Sequence, residues 1–243
     1  MREVMAIAGG TWQRILRMPV VYFLIVCVLV LIGCAYRYEI LSLGMHRDLM
    51  VDVSLTLNTV AAILIAVSIT FEIPRELRDG VASTLLTKPL GRTQYIVGKF
   101  IGISIAGIVV TGLVGVGFCV VFVSAFDDLT VSMVQGHLLV MASVIPMCAV
   151  GVLFSVFLPD ALAAILTALV IWFGHSTSIA LRKIPVLYGG VVPDFNLFNL
   201  HAEATRGIVI QWSYLGVVAL WGVSFSIFAV SVASLLFGRK DLK

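Results

Sequence analysis

Charged side chains are concentrated in one short stretch of this sequence, residues 71–99. The chain of 243 residues carries only 29 charged side chains, 16 basic and 13 acidic, and eight of them lie in this stretch. Side chains of both signs can form ion pairs and orient a binding partner, whereas a segment that only fixes membrane orientation needs Lys and Arg alone. The eight are Glu72, Arg75, Glu76, Arg78, Asp79, Lys88, Arg92 and Lys99.

Sequence motifs for catalysis are missing from the chain. It has no Gly-x-x-x-x-Gly-Lys-[Ser/Thr] motif to hold nucleotide phosphates, no His-Glu-x-x-His motif and no Gly-x-Ser-x-Gly motif. The four histidines are scattered, and we expect His175 to make an ordinary hydrogen bond at the interface or in a helix bundle. We therefore predict a chain that is not an enzyme, with no catalytic, cofactor-binding or metal-binding residue.

The composition predicts an all-α polytopic membrane protein. The chain is 60% hydrophobic and 12% charged, with a mean hydropathy of +1.11, whereas a soluble domain is about 45–50% apolar and about 25% charged. A helix of about 20 apolar residues crosses a bilayer core of about 30 Å. The apolar runs predict six transmembrane helices in a single domain of residues 1–243, at residues 19–35, 53–71, 95–123, 131–158, 161–181 and 208–237.

The two ends of the chain are expected on the cytoplasmic side. Residues 1–18 combine apolar and basic positions, which predicts an amphipathic helix in the membrane interface with Trp12 at the level of the head groups; Gly9 and Gly10 weaken this helix. An even number of spans puts both termini on one side. If that side is the cytoplasm, 11 of the 16 basic residues lie inside, as the positive-inside rule requires.

The charged stretch contains signals for a short amphipathic helix. Pro74 can begin a helix and Pro89 can end one, Gly80 can break the segment, and Thr93 could cap the next span. The alternative is a solvated basic loop that only obeys the orientation rule. An amphipathic helix here would need its apolar face covered by the bundle, the lipid interface or a soluble partner. That face consists of Leu77, Val81, Leu85 and Leu86.

Inside the spans, small and uncharged polar residues replace charges. Asp, Glu, Lys and Arg are absent from the central part of every predicted span, which argues against a proton-coupled transporter or pump. We expect interhelical hydrogen bonds from Asn58 and its threonine neighbours in span 2. Gly98 and Gly102 have the spacing of a close helix contact, with either this chain or a second copy as the neighbour.

One sequence pattern runs from the end of span 2 into span 3: a Glu, an acidic residue before Gly, Leu-Leu, Lys-Pro-Leu, Arg and Lys-Phe. It resembles the permease subunits of ABC-2 type transporters, and residues 193–200 are similar to a segment common in those permeases. The resemblance covers essentially the whole chain. One departure is Val81, where the family usually has Thr after the Gly. The matching positions are Glu72, Asp79, Gly80, Leu85, Leu86, Lys88, Pro89, Arg92 and Lys99.

The resemblance implies an elbow helix at residues 1–18, a cytoplasmic coupling helix in the loop 72–94 between spans 2 and 3, and an extracytoplasmic connector at 182–207. Either short helices dip into the outer leaflet from this connector, or it is a plain loop. The coupling helix would dock on a separate ATP-binding subunit. The implied docking residues are Glu72, Arg75, Arg78, Asp79, Gly80, Val81, Leu85, Leu86, Lys88, Pro89, Arg92 and Lys99.

By the same resemblance, the partner ATPase binds ATP and Mg²⁺, and this chain holds no cofactor. The other implied partners are a second copy or a similar subunit and membrane lipids, without nucleic acid. The function implied is transport, in the export direction, across a prokaryotic cytoplasmic membrane. Two alternatives stay open: a noncatalytic scaffold or regulatory subunit, and a membrane-embedded lipid-modifying enzyme. The enzyme would need clustered His, Asp or Glu near one interface, and the sequence has no such cluster.

Overall fold

The computed structural model describes residues 2–37, 45–80, 91–176 and 193–239. Within these residues every regular element is helical, as the long apolar runs predict. The helices are α1 (Arg2–Leu16), α2 (Pro19–Arg37), α3 (His46–Arg78), α4 (Arg92–Phe126), α5 (Val131–Phe157), α6 (Asp160–Ser176), a 3-10 turn (Phe195–Phe198), α7 (His201–Thr205) and α8 (Trp212–Gly238).

Polar contacts between helix ends define two ends of the bundle. At the first, named here the Lys99 end, the last turn of α3 meets the start of α6, and the start of α4 meets the end of α8. At the second, the His201 end, α3 begins beside α7 and beside the turn before α5. Successive long helices therefore run in alternating directions. α5 lies at the centre of the bundle, since 72% of its most apolar stretch is buried, whereas 33% of the corresponding stretch of α8 is buried.

Among the described residues, four helices are long and apolar enough to cross a membrane: α3, α4, α5 and α8. The count rises to five if α1 and α2, which meet at a bend of 55°, are taken together as one span. The predicted fifth span, 161–181, corresponds to α6, a shorter apolar helix of 17 residues; residues 177–181 lie outside the described residues. The structure thus supports a polytopic all-α protein with a smaller number of long spans than the six predicted.

The prediction that a helix begins at Pro74 is wrong. α3 does not end near Phe71 but continues to Arg78 with Pro74 inside it. Proline removes one backbone hydrogen bond, and membrane helices tolerate that loss where neighbouring groups compensate. The helix ends at Asp79, whose N–H donates to the carbonyl of Arg75, and Gly80 follows with φ of +73°, a conformation that glycine adopts at helix ends.

The start of α4 also differs from the prediction. Gly91, not Thr93, is the N-cap residue, and the Gln94 side chain accepts a hydrogen bond of 2.9 Å from the Gly91 N–H. As a result, the predicted loop 72–94 is shorter than expected, because both of its ends belong to long helices. Residues 81–90, which hold most of the predicted coupling helix, lie outside the described residues.

The N-terminal helix packs tightly on α4 of the same chain. α1 is one continuous helix, so Gly9 and Gly10 do not split it. An added Cβ would lie 2.8 Å from the Cβ of Ile7 at Gly98, and 2.7 Å from the Ala8 carbonyl oxygen at Gly102. The predicted close contact at these two glycines is therefore confirmed, and its partner is the amphipathic helix of this chain.

Two short helices lie in the described part of the predicted connector 182–207, namely the 3-10 turn and α7. Phe195 and Phe198 are buried in the bundle. Gly174 of α6 makes room for the Phe195 ring, because a Cβ there would come within 2.5 Å of it. Residues 195–205 are therefore packed helical structure and not a plain loop.

Candidate functional site

A buried ionic cluster joins α3 and α4 at the Lys99 end. The ammonium of Lys99 donates hydrogen bonds to Glu72 Oε1 and to Glu76 Oε1, both at 2.7 Å. The two carboxylates are four residues apart on α3 and therefore share one face of that helix. Lys99 on α4 reaches both at once, which fixes the rotation of each helix relative to the other.

Two further side chains complete this cluster. The Tyr95 hydroxyl donates to Glu76 Oε2 at 2.7 Å, from a position one turn before Lys99 on α4. Arg14 of α1 contacts Glu76 Oε1 and lies 3.7 Å from Glu72 Oε1. We call these five residues (Arg14, Glu72, Glu76, Tyr95 and Lys99) the ionic cluster. It connects the N-terminal helix, the end of α3 and the start of α4.

The ionic cluster is charge-balanced and mostly buried. Side-chain exposure is 4% for Lys99, 6% for Glu72 and 5% for Glu76, whereas Arg14 is 49% exposed. Two cations face two carboxylates, as buried charges require, because an unpaired charge in a low-dielectric interior is costly. Such a cluster is well suited to hold three helices in one geometry and to move them together.

Sequence reasoning found only part of the ionic cluster. Glu72 and Lys99 were predicted as site residues, whereas Arg14, Glu76 and Tyr95 were not. A signal was available, since Glu72 and Glu76 are four apart, as are Tyr95 and Lys99, with opposite charges on the two sides of one connector. Helices joined by such a connector are often neighbours, so the two pairs were able to meet.

The other predicted residues that the structure describes lie on the surface around the ionic cluster. Arg75 pairs with Asp79 along α3 at 3.5 Å. Arg78 reaches Asp160 at the start of α6, at 2.7 Å, and this hydrogen-bonded guanidinium lowers the pKa of the Asp160 carboxyl below its ordinary value. Arg92 donates to the Gly238 carbonyl oxygen at 2.9 Å. The predicted residues outside the described ranges are Val81, Leu85, Leu86, Lys88 and Pro89.

A second polar cluster lies within the bundle toward the His201 end. The Asn58 side-chain nitrogen lies 3.0 Å from His137 Nδ1, and Ser54 Oγ lies 3.4 Å from His137 Nε2. The expected interhelical bond of Asn58 is thus confirmed. Its neighbour Thr59 instead bonds the Leu55 carbonyl of its own helix at 2.9 Å. Of these side chains, His137 is titratable and the others carry no charge. The cluster therefore resembles ordinary hydrogen bonding between packed helices.

His175 makes a local contact of the kind expected for a packed histidine. Its Nδ1 lies 3.1 Å from the Ile171 carbonyl oxygen, and its ring stacks on Phe195 at 5.7 Å between centroids. It also borders a cavity of about 250 Å³ with Thr56 and Trp172. In the described part of the chain, no three His, Cys, Asp or Glu side chains are arranged to hold a metal ion.

Comparison with known families identifies the class of protein to which the chain belongs. The family described as ABC-2 family transporter protein matches residues 45–242, from the start of α3 through α8. The chain therefore belongs to the ABC-2 family of transporter proteins, and it is a membrane component of a transport system. Among curated proteins, a search finds no match to the chain.

Proposed function

We propose that this chain is the permease subunit of an ATP-binding cassette transporter that exports its substrate. A separate ATPase subunit hydrolyses ATP with Mg²⁺ and docks on the connector between α3 and α4. Membership of the ABC-2 family supports this proposal, since permeases of the family normally work with an ATP-binding subunit.

The docking assignment is supported by the ionic cluster, which lies where α3 and α4 meet the connector. A partner bound to residues 81–90 pulls on the end of α3 and the start of α4. Lys99 joins those two helix ends through bonds of 2.7 Å to Glu72 and Glu76. Because the three side chains are at most 6% exposed, water competes little for these bonds. Motion of the connector is then transmitted to both helices together.

The proposed arrangement in the membrane has six crossings with both termini in the cytoplasm. α2 and α6 supply the two crossings beyond the four long helices. The last turns of α1 and α8 lie at the Lys99 end, where Arg14 contacts Glu76 and Arg92 contacts Gly238. Most of the basic side chains that the structure describes lie at this end, in line with the positive-inside rule. We place the protein in a prokaryotic cytoplasmic membrane, as a dimer with a second copy or a similar permease.

Co-purification of an ATPase tests the function. The tagged chain is purified from its native membrane in mild detergent, and ATPase activity and the bound ATP-binding subunit are quantified. We expect a stoichiometric subunit with the unchanged chain and its loss with Leu85→Asp, because a charge would enter an apolar contact. Arg78→Ala combined with Asp79→Ala is expected to weaken association while leaving membrane insertion intact.

Two matched controls separate docking from folding. Asp160→Asn removes the ionic contact between Arg78 and α6 but keeps Arg78 itself, so co-purification is expected to persist. Arg206→Ala removes an exposed charge at the opposite end and is expected to have no effect. A chain that purifies without any ATPase would contradict the permease assignment and favour a scaffold. An unchanged ATPase yield with both the Leu85 and the Arg78/Asp79 variants would reject docking on this connector.

A further inference from the structure

A cleft opens between the N-terminal helix and the last turns of α3, next to the ionic cluster. Its volume is about 450 Å³, within the usual range for sites that hold small molecules. Arg14 and Met18 line one side, and residues of α3 from Ser68 to Asp79 line the other. The cleft thus lies where the chain passes from apolar span to charged connector.

The wall of this cleft changes from apolar to charged along α3. Phe71 is 47% exposed and contributes an apolar surface together with the half-buried Met18. One turn further along, Arg75 is 77% exposed, and a second turn on, Asp79 is 56% exposed. A phospholipid has the same order of groups across the membrane interface, with acyl chains deeper than the phosphate and head group. The cleft therefore matches a lipid in the order of its apolar and charged groups.

The charged part of the cleft carries both signs. Arg14 and Arg75 offer guanidinium groups, which hydrogen-bond phosphate well. Glu72 and Asp79 offer carboxylates. Oε1 of Glu72 accepts from Lys99, but within the described residues Oε2 of Glu72 has no hydrogen-bond partner, although the side chain is only 6% exposed. An acceptor that is nearly buried and unpaired in a cleft favours a ligand that can donate to it.

These observations point to one class of ligand. We propose that the cleft binds a zwitterionic phospholipid of the inner leaflet whose head group carries a primary ammonium. The ammonium donates to Glu72 Oε2 and to Asp79, the phosphate lies against Arg14 and Arg75, and an acyl chain follows Phe71 and Met18. An anionic lipid without an ammonium can still place its phosphate against the guanidinium groups, but it leaves Glu72 Oε2 and Asp79 without a cation, so it binds more weakly.

The choice of the inner leaflet rests on the orientation given under the proposed function. Arg75 and Asp79 are also proposed docking residues, so lipid binding is tested on the chain without the ATPase subunit, where docking does not contribute. The purified full chain in detergent is titrated with phosphatidylethanolamine or with phosphatidylglycerol of identical acyl chains, and lipid-bound species are counted by native mass spectrometry. We expect more phosphatidylethanolamine than phosphatidylglycerol adducts at equal concentration. Arg75→Gln and Asp79→Asn are each expected to lower the phosphatidylethanolamine adducts by about threefold to tenfold, as partly exposed charged contacts allow.

The variants are chosen to leave the fold intact, because Arg75 and Asp79 are exposed and pair only with each other in the described part of the chain. A single symmetric peak in gel filtration verifies this. Arg206→Gln, an exposed charge at the opposite end, is the matched control and is expected to bind both lipids as the unchanged chain does. Equal adducts for the two lipids, or adducts unaffected by both cleft variants, would overturn the proposal.

Discussion

Replacing Lys99 by methionine removes the buried cation of the ionic cluster while keeping an unbranched apolar side chain in its place. Glu72 and Glu76 then share only Arg14, which is 49% exposed. Breaking a buried ion pair by removing one partner costs about 3–5 kcal/mol. Because Arg14 still contacts Glu76, we expect the lower limit, about 3 kcal/mol. For a chain of this length, 1 kcal/mol shifts the thermal midpoint by about 2–4 °C, so the midpoint should fall by roughly 6–12 °C.

The assay is the fraction of protein that stays monodisperse in gel filtration after heating in detergent. Adding Glu72→Gln to Lys99→Met restores the charge balance between Glu76 and Arg14, so we expect the double variant to regain much of the loss. The coupling between the two sites should be about 0.5–3 kcal/mol, as for residues in one ion-pair network. Arg75→Met is the matched control, since that side chain is 77% exposed and an exposed pair contributes about 1 kcal/mol or less.

Either of two results would contradict the ionic pairing of Lys99 with Glu72 and Glu76. A midpoint for Lys99→Met within about 2 °C of the unchanged chain, equivalent to about 1 kcal/mol or less, would mean that the carboxylates are solvated or protonated and not ionically paired. A double variant no more stable than Lys99→Met alone would mean that Lys99 acts by packing and not by charge.

Two further predictions concern the contacts around the ionic cluster. Gly102→Ala puts a Cβ 2.7 Å from the Ala8 carbonyl oxygen, so overpacking should destabilise the chain by about 1–3 kcal/mol. Gly216→Ala is the control, because its added Cβ has nothing within 4 Å and should not destabilise the chain. Equal thermal midpoints for the two variants would refute the contact between α1 and α4. Arg78 lowers the pKa of Asp160 in the folded chain. The ion pair therefore stabilises the fold above the Asp pKa of the unfolded chain, about 3.9, and this stabilisation is lost as pH falls through the pKa of Asp160 in the folded chain. Midpoints of Asp160→Asn and the unchanged chain should therefore converge on acidification; a gap that persists at low pH argues against this ion pair.

The sequence allowed the helices to be predicted well where apolar runs alone determine them. α4, α5 and α8 lie within a few residues of the predicted spans, since in lipid a long apolar segment must satisfy its backbone groups within a helix. Pro74 misled the prediction, because its ring restricts the local backbone but does not forbid a helix that packing supports. Propensity at one residue was outweighed by the contacts that α3 makes at its end.

The candidate site was harder to predict than the fold. Glu72 and Lys99 were identified by a family pattern, but their direct contact depends on how α3 and α4 are rotated about their axes. Arg14 could not be predicted as a site residue, for a different reason. Its contact with Glu76 depends on where α1 packs, and Gly98 and Gly102 predicted a close neighbour without saying which one.

The distribution of polar groups along the bundle gives the ionic cluster its significance. Toward the His201 end, the second cluster consists of the Asn58 amide, the Ser54 hydroxyl and the His137 ring, which hold helices together at low electrostatic cost. The buried charges of the described residues, Glu72, Glu76 and Lys99, lie instead where α3 and α4 meet the connector. A transporter driven by ion flow needs ionisable groups along its path, whereas one driven from outside the membrane needs stiffness where the force enters. With the proposed docking on the connector, the ionic cluster lies where that force enters, and it also contacts α1, so α1 should move with α3 and α4 as one unit.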